Sequence, residues 1–102
     1  MRIIPRKRLR EFAQRHPDAA VAVEKWERLV GEGKWQNLQE VRRVFPHADA
    51  VTMASGSTVT VFNICGNKYR LIAALHYDRQ RVFVLRFLTH AQYSKDSWKD
   101  TL

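Results

Sequence analysis

An α+β domain is expected for this chain, with an antiparallel β-sheet packed against N-terminal helices. Three observations lead to that expectation. The first half carries apolar residues at helical spacing, punctuated by Pro and Gly. From Val51 onward the texture changes to runs rich in Val, Ile, Phe, Leu and Tyr, broken by short turn-forming segments. The chain has 102 residues, which suits a single domain over 1–102, and its 45% hydrophobic content is enough for one core.

Each element has a local reason. Arg2–Ile4 is a short apolar stretch that ends at Pro5 and reads as an edge strand. Arg6–Arg15 reads as a helix, with Leu9, Phe12 and Ala13 on one side and Arg6, Lys7, Arg8, Arg10 and Arg15 elsewhere. That basic cluster suits RNA, a protein partner or a solvated face. Pro17 fits a first helical position, and Asp18 fits the positive end of a helix dipole. The second helix then runs to about Val30, with Val23, Trp26, Leu29 and Val30 as its apolar stripe, and Gly31 and Gly33 end it. The short join makes the pair an αα-hairpin. Asn37 caps a third, short helix, with Glu40 reaching back as in a capping box. Leu38, Val41, Val44 and Phe45 line one side of it, Pro46 stops it, and Pro46–Ala50 is a loop.

Strands are expected over Val51–Met53, Thr58–Ile64, Lys68–His76 and Arg81–Leu88. The connections between them are short, so the pairing is antiparallel. In the Cys65-Gly66-Asn67 connection, Gly and Asn tolerate the positive φ of a tight turn. Thr89-His90-Ala91-Gln92 matches a second capping box, which places His90 and Tyr93 one turn apart on one helical face.

Charge narrows the function. Eighteen Lys and Arg face 10 Asp and Glu, for a net charge of +8. Such an excess attracts polyanions. Nucleic acid is the first candidate, with an acidic protein or an anionic membrane surface behind it. The lone cysteine, Cys65, rules out an intramolecular disulfide within one copy and fits a reducing cytoplasm. No apolar run approaches the roughly 18 residues of a membrane span. Met1-Arg2-Ile3-Ile4-Pro5 lacks a hydrophobic signal core. There is no Walker-type loop, dinucleotide fingerprint or zinc-ligand spacing, and His16, His47, His76 and His90 are widely separated. Neither a cofactor nor a metal is therefore expected.

The remaining polar residues suit metal-free RNA cleavage. That reaction needs a base for the 2′-hydroxyl, a cation on the phosphorane oxygens and an acid for the departing 5′-oxygen. Lys68 and Arg70 are two apart, so strand alternation puts them on one face, where they form a cationic clamp or simply solvate an open sheet. His90 has an intrinsic pKa in the range for acid–base work, or serves as a structural hydrogen-bonding residue. Tyr93 can donate a hydrogen bond, act as an acid, stack on a base or pack. Asn63 and Asn67 suit a phosphate or base edge, or the turn itself. His76 shares the alternation of Lys68 and Arg70 and is a second-choice base. Arg86 lies four residues before His90 and shares its face if the strand extends that far.

In order along the chain, these blocks resemble the HigB family of type II toxin–antitoxin toxins, mRNA interferases of the wider RelE/ParE superfamily. The resemblance is nearly full length. It begins with Leu9-Arg10-Glu11-Phe12 and His16-Pro17-Asp18-Ala19 and passes through Trp26, Trp35, Phe45-Pro46 and Ala48-Asp49. It is strongest in Val61-Phe62-Asn63-Ile64, Gly66-Asn67-Lys68-Tyr69-Arg70-Leu71 and Thr89-His90-Ala91-Gln92-Tyr93. It implies a compact RelE-like domain and a metal-independent endoribonuclease acting on mRNA, usually in the translating ribosome. The implied partner is a HigA-type helix-turn-helix antitoxin, through which operator DNA is reached. By motif position, the resemblance makes Asn63, Asn67, Lys68, Arg70, His90 and Tyr93 the site candidates. One departure stands out: Tyr93 is usually followed by Asp in this family, and here Ser94 follows, with Asp96 nearby. Two other readings remain, a non-catalytic toxin of the kind that poisons DNA gyrase and an RNA-binding or operon-regulatory component.

Overall fold

The computed structural model describes residues 1–102. Its elements are β1 (Arg2–Ile4), α1 (Arg6–Arg15), a 3₁₀ turn (Pro17–Ala19), α2 (Ala20–Glu32), α3 (Leu38–Val44), β2 (Asp49–Thr52), β3 (Thr58–Ile64), β4 (Tyr69–His76), β5 (Arg81–Thr89), α4 (His90–Ser94) and a closing 3₁₀ turn (Ser97–Asp100). The five strands form one sheet in the order β1-β5-β4-β3-β2. Three pairings are antiparallel, and the edge strand β1 runs parallel to β5.

Several boundaries differ from the sequence expectation for local reasons. Helix α2 continues through Gly31 to Glu32, and Gly33 alone ends it, in an extended conformation. Asn37 caps α3 by accepting from the Glu40 amide at 3.0 Å. Glu40 itself reaches the Gln36 amide at 2.5 Å, one residue earlier than a capping box would have it. Val44 is exposed rather than inward. Strand β2 begins at Asp49, within the expected loop, because Asp49 and Ala50 pair with Val61 and Thr60.

Alternation gives the sheet two distinct faces. On one face Phe62, Ile64, Leu71, Ala73, Val82 and Val84 pack against Leu9, Phe12, Val23, Trp26, Val30 and Val41 from the helices. Trp26 meets Phe62 edge-on with ring centroids 5.4 Å apart. Fully burying such side chains contributes about 1.5–3 kcal/mol each. The other face carries Val59, Val61 and Ile72, which pack with Met53 and with Trp98 from the C-terminal segment. In β5 the register slips: Ala73 faces Val84 while Ile72 faces Arg86, so Leu85 is an extra residue in a bulge. No helix is long and apolar enough to cross a membrane.

Candidate active site

The second sheet face and the turn between β3 and β4 place the candidate residues. Cys65 and Gly66 take the left-handed conformation, with φ of 53° and 65°. The expectation that Asn67 shares this burden is not met. Its backbone stays at negative φ, and its side chain turns to Arg70 instead. Gly66 has open space around it, so only its φ demands glycine.

Arg70 is the centre of the arrangement. It is only 9% exposed. Its guanidinium donates to the Asn67 side-chain carbonyl, to the Asn67 backbone carbonyl at 3.2 Å and to the Tyr69 carbonyl at 3.2 Å. No carboxylate comes within ion-pair distance of it. Neutral carbonyls fix its orientation but leave its charge uncompensated, and a buried unpaired charge is costly. The Asn67 bonds are only partly buried, so one edge of the guanidinium still meets solvent.

Tyr93 covers Arg70 from the other side. The Arg70 Cζ lies 5.4 Å from the Tyr93 ring centroid. The same ring stacks on Trp98, with centroids 5.3 Å apart and planes at 24°. Arg70 and Trp98 thus both engage the Tyr93 ring, and its hydroxyl is left for a partner outside the chain. Trp98 also donates through Nε1 to the Tyr93 carbonyl at 3.0 Å. The capping box that starts α4 is complete: Thr89 Oγ1 accepts from the Gln92 amide, and the Gln92 side chain accepts from the Thr89 amide. It presents His90 exposed at the first helical position, one turn from Tyr93. Ser94 donates its hydroxyl to the His90 carbonyl at 2.9 Å. Asp96 is taken up by Lys99 at 3.2 Å, so it does not replace the missing carboxylate.

Lys68 departs from expectation. Strand β4 starts at Tyr69, so Lys68 belongs to the turn and does not share the Arg70 face. Its ammonium pairs with Asp18, which precedes α2. The Tyr69 hydroxyl donates to the same carboxylate at 2.9 Å. Hydrogen bonding from Lys68, then from Tyr69, holds the Asp18 carboxyl below its ordinary value of 3.8, and Asp18 in turn raises Lys68 above 10.5. The Lys68 carbonyl accepts from the His90 amide at 3.1 Å. One turn residue thus ties the helical layer to the start of α4.

The other candidates separate by position. Asn63 is registered directly opposite Arg70 and so shares its face. Arg86 is opposite Ile72, on the same face, with its guanidinium donating to the Leu85 carbonyl at 2.9 Å. It does not share a strand face with His90, because β5 ends at Thr89 and His90 begins a helix. His76 alternates with Arg70 but lies at the far end of β4, roughly 20 Å away at strand spacing. It is too distant to act as a base there. Nowhere do three or more His, Cys, Asp or Glu side chains converge in a way that would hold a metal ion.

The model of the HigB toxin family, described as the RelE-like toxic component of a toxin-antitoxin system, matches residues 19–96. The chain belongs to the HigB toxin family. It is 30% identical over 95 residues to a protein named mRNA interferase HigB from Escherichia coli O6:H1, covering 93% of this chain and 90% of that one. A protein of the same name from Shigella flexneri is 24% identical over 93 residues, covering 91% and 88%. Membership of a toxin-antitoxin family brings an antitoxin partner with it.

Two residues of this HigB-family toxin escaped the sequence reading. Asp18 was assigned to a helix dipole, and nothing local indicates a partner 50 residues away. Trp98 lies in a polar tail, where a lone large aromatic was the available signal. The Asp18–Lys68 pair makes a pH prediction. A carboxyl with a depressed folded pKa contributes stability that is present above its unfolded value and lost as pH falls through the folded one. The raised Lys68 contributes stability that is present below 10.5 and lost as pH rises through its folded pKa. Melting temperatures of the parent protein and of Asp18→Asn should therefore differ most between these limits and converge below about pH 3.8. A difference that persists unchanged into acid would refute the pairing.

Proposed function

We propose that this HigB-family toxin is an endoribonuclease that cleaves mRNA in the translating ribosome, without a metal, at the site formed by Arg70, His90 and Tyr93. The observation that carries this reading is the buried Arg70 guanidinium, held by Asn67 and lacking a counter-charge. An anion completes such a site, and a phosphodiester with two non-bridging oxygens fits a planar fork of donors. The two relatives, both named mRNA interferase HigB, support the same substrate.

In the proposed reaction the 2′-oxygen attacks phosphorus and loses its proton to a base. The 5′-oxygen leaves with a proton from an acid, and a 2′,3′-cyclic phosphate remains. Arg70 stabilises the charge that grows on the phosphorane oxygens. His90 and Tyr93 handle the protons. Asn63, opposite Arg70, and Arg86 hold the RNA strand. Lys68, engaged by Asp18, steadies the turn rather than completing a two-cation clamp. The antitoxin is proposed to be of the HigA helix-turn-helix type, and the protein to work in the cytoplasm.

The test is a translation reaction supplied with purified toxin, followed by mapping of transcript ends. Codon-associated cuts that persist with a chelator are expected. His90→Ala should slow them by about 10²–10⁴-fold while the thermal melt is retained. Undiminished cutting by that variant would remove His90 from the mechanism. A second reading, a toxin that binds without cutting, is favoured by Ser94, since no free carboxylate stands beside Tyr93. Inhibited DNA supercoiling with intact transcripts would select it.

A further inference from the structure

We propose that the far end of the Arg70 sheet face is a base-binding subsite that reads a nucleotide of the bound RNA beside His76; this rests on RNA being the substrate. A concavity of about 460 Å³ opens there, its apolar wall formed by Met53, Val59, Ala74, Leu85 and Leu102, with His76 at its polar edge. Its size falls within the range of small-molecule sites, and its walls are mostly apolar with a few polar groups at the edge. A nucleobase matches that chemistry, with an apolar ring and a hydrogen-bonding rim.

Continuity with the proposed cleavage site sets the occupant. Arg70, Ile72, Ala74 and His76 alternate along one face of β4, so the concavity and the buried guanidinium look out on the same side. Arg86 faces Ile72 between the two, and Arg81 faces His76 at the far end. Neither makes an ion pair. From Thr58 to Thr89 the chain has a single acid, Asp78, and it lies in the turn after β4. Strands β3–β5 thus carry no carboxylate, and Arg86 and Arg81 on β5 form a cationic strip beside the Trp98 that covers Ile72, which suits a phosphate backbone running along it.

His76 is held for the task. Its ring meets Phe83 edge-on, with centroids 5.1 Å apart and planes at 79°. Phe83 is registered opposite Ala74 on the same face. An imidazole fixed in this way offers both ring surface and nitrogens to a base, and single-stranded RNA is read by stacking and by base-edge hydrogen bonds. His76 is therefore a specificity-determining residue rather than a base for the 2′-hydroxyl.

Fluorescence anisotropy with non-cleavable 2′-O-methyl RNA tests this. The probes are a dinucleotide, which fills only the Arg70 end, and longer homopolymers of each base. The parent toxin should bind the longer RNA more tightly than the dinucleotide and prefer one base. His76→Ala should cut that advantage by about tenfold and flatten the preference. Ala74→Trp, which fills the concavity, should do the same, with thermal melts checking that both variants fold. An advantage and preference unaltered in His76→Ala would overturn the subsite. So would the lack of any length-dependent gain in the parent, leaving this face to a protein partner. Length-dependent binding without transcript cleavage would keep this inference and remove the nuclease reading. Cleavage with no effect of His76→Ala would do the reverse.

Discussion

Arg70→Ala is expected to lower mRNA cleavage by about 10²–10³-fold, the usual cost of removing one preorganised electrostatic group from a transition state. The same change should leave the melting temperature equal to or above that of the parent protein. The Arg70 side chain is a buried cation with carbonyl partners and no carboxylate. Burying such a charge costs stability, and deleting it relieves that cost. Loss of activity with a gain in stability is the signature of a residue kept for function. Arg70→Lys should recover little, because an ammonium cannot reproduce the planar fork that meets Asn67 and Tyr69 together. Single-turnover cleavage and thermal melts on the same preparations would check both halves. A variant that loses activity only because it unfolds would contradict the assignment.

Trp98→Ala has the second large expected effect. Trp98 is 6% exposed and joins Met53, Val59, Val61 and Ile72 in the cluster on the second sheet face. Truncating a buried Trp costs about 3–5 kcal/mol. Here it also removes the stack with Tyr93 and the donor to the Tyr93 carbonyl. Cleavage should fall beyond what the lost folded fraction explains. Trp98→Phe keeps a stacking ring but loses the Nε1 donor, and it should restore most of the stability. Denaturant titrations paired with cleavage rates, corrected for folded protein, separate the two contributions. Equal activity per folded molecule in Trp98→Ala would show that Tyr93 needs no support from Trp98.

The elements governed by neighbours in sequence were legible. Arg6–Arg15 and Thr58–Ile64 form as expected, because helical spacing and β-rich composition are local signals. The Thr89 capping box forms in full because its partners lie three residues apart. Long-range choices were not legible. Lys68 leaves the Arg70 face because Asp18, far away in the chain, offers it a carboxylate. Strict alternation from Val82 and Val84 would turn Arg86 toward the helices. The extra residue at Leu85 reverses that and brings Arg86 to the site face. The family resemblance placed Asn67 among the site residues, whereas its service as the clamp of Arg70 follows from which turn residues take positive φ.

The layering of Arg70, Tyr93 and Trp98 gives the site an optical reporter of its own. The chain has three tryptophans, and Trp26 and Trp35 are buried in the cluster on the helical side of the sheet. Trp98 alone stacks on Tyr93, the ring that meets the guanidinium. An anion arriving at Arg70 changes the charge next to that stack while the other two indoles report an unchanged background. Anion binding at Arg70 is therefore expected to change the ultraviolet emission of the unlabelled protein.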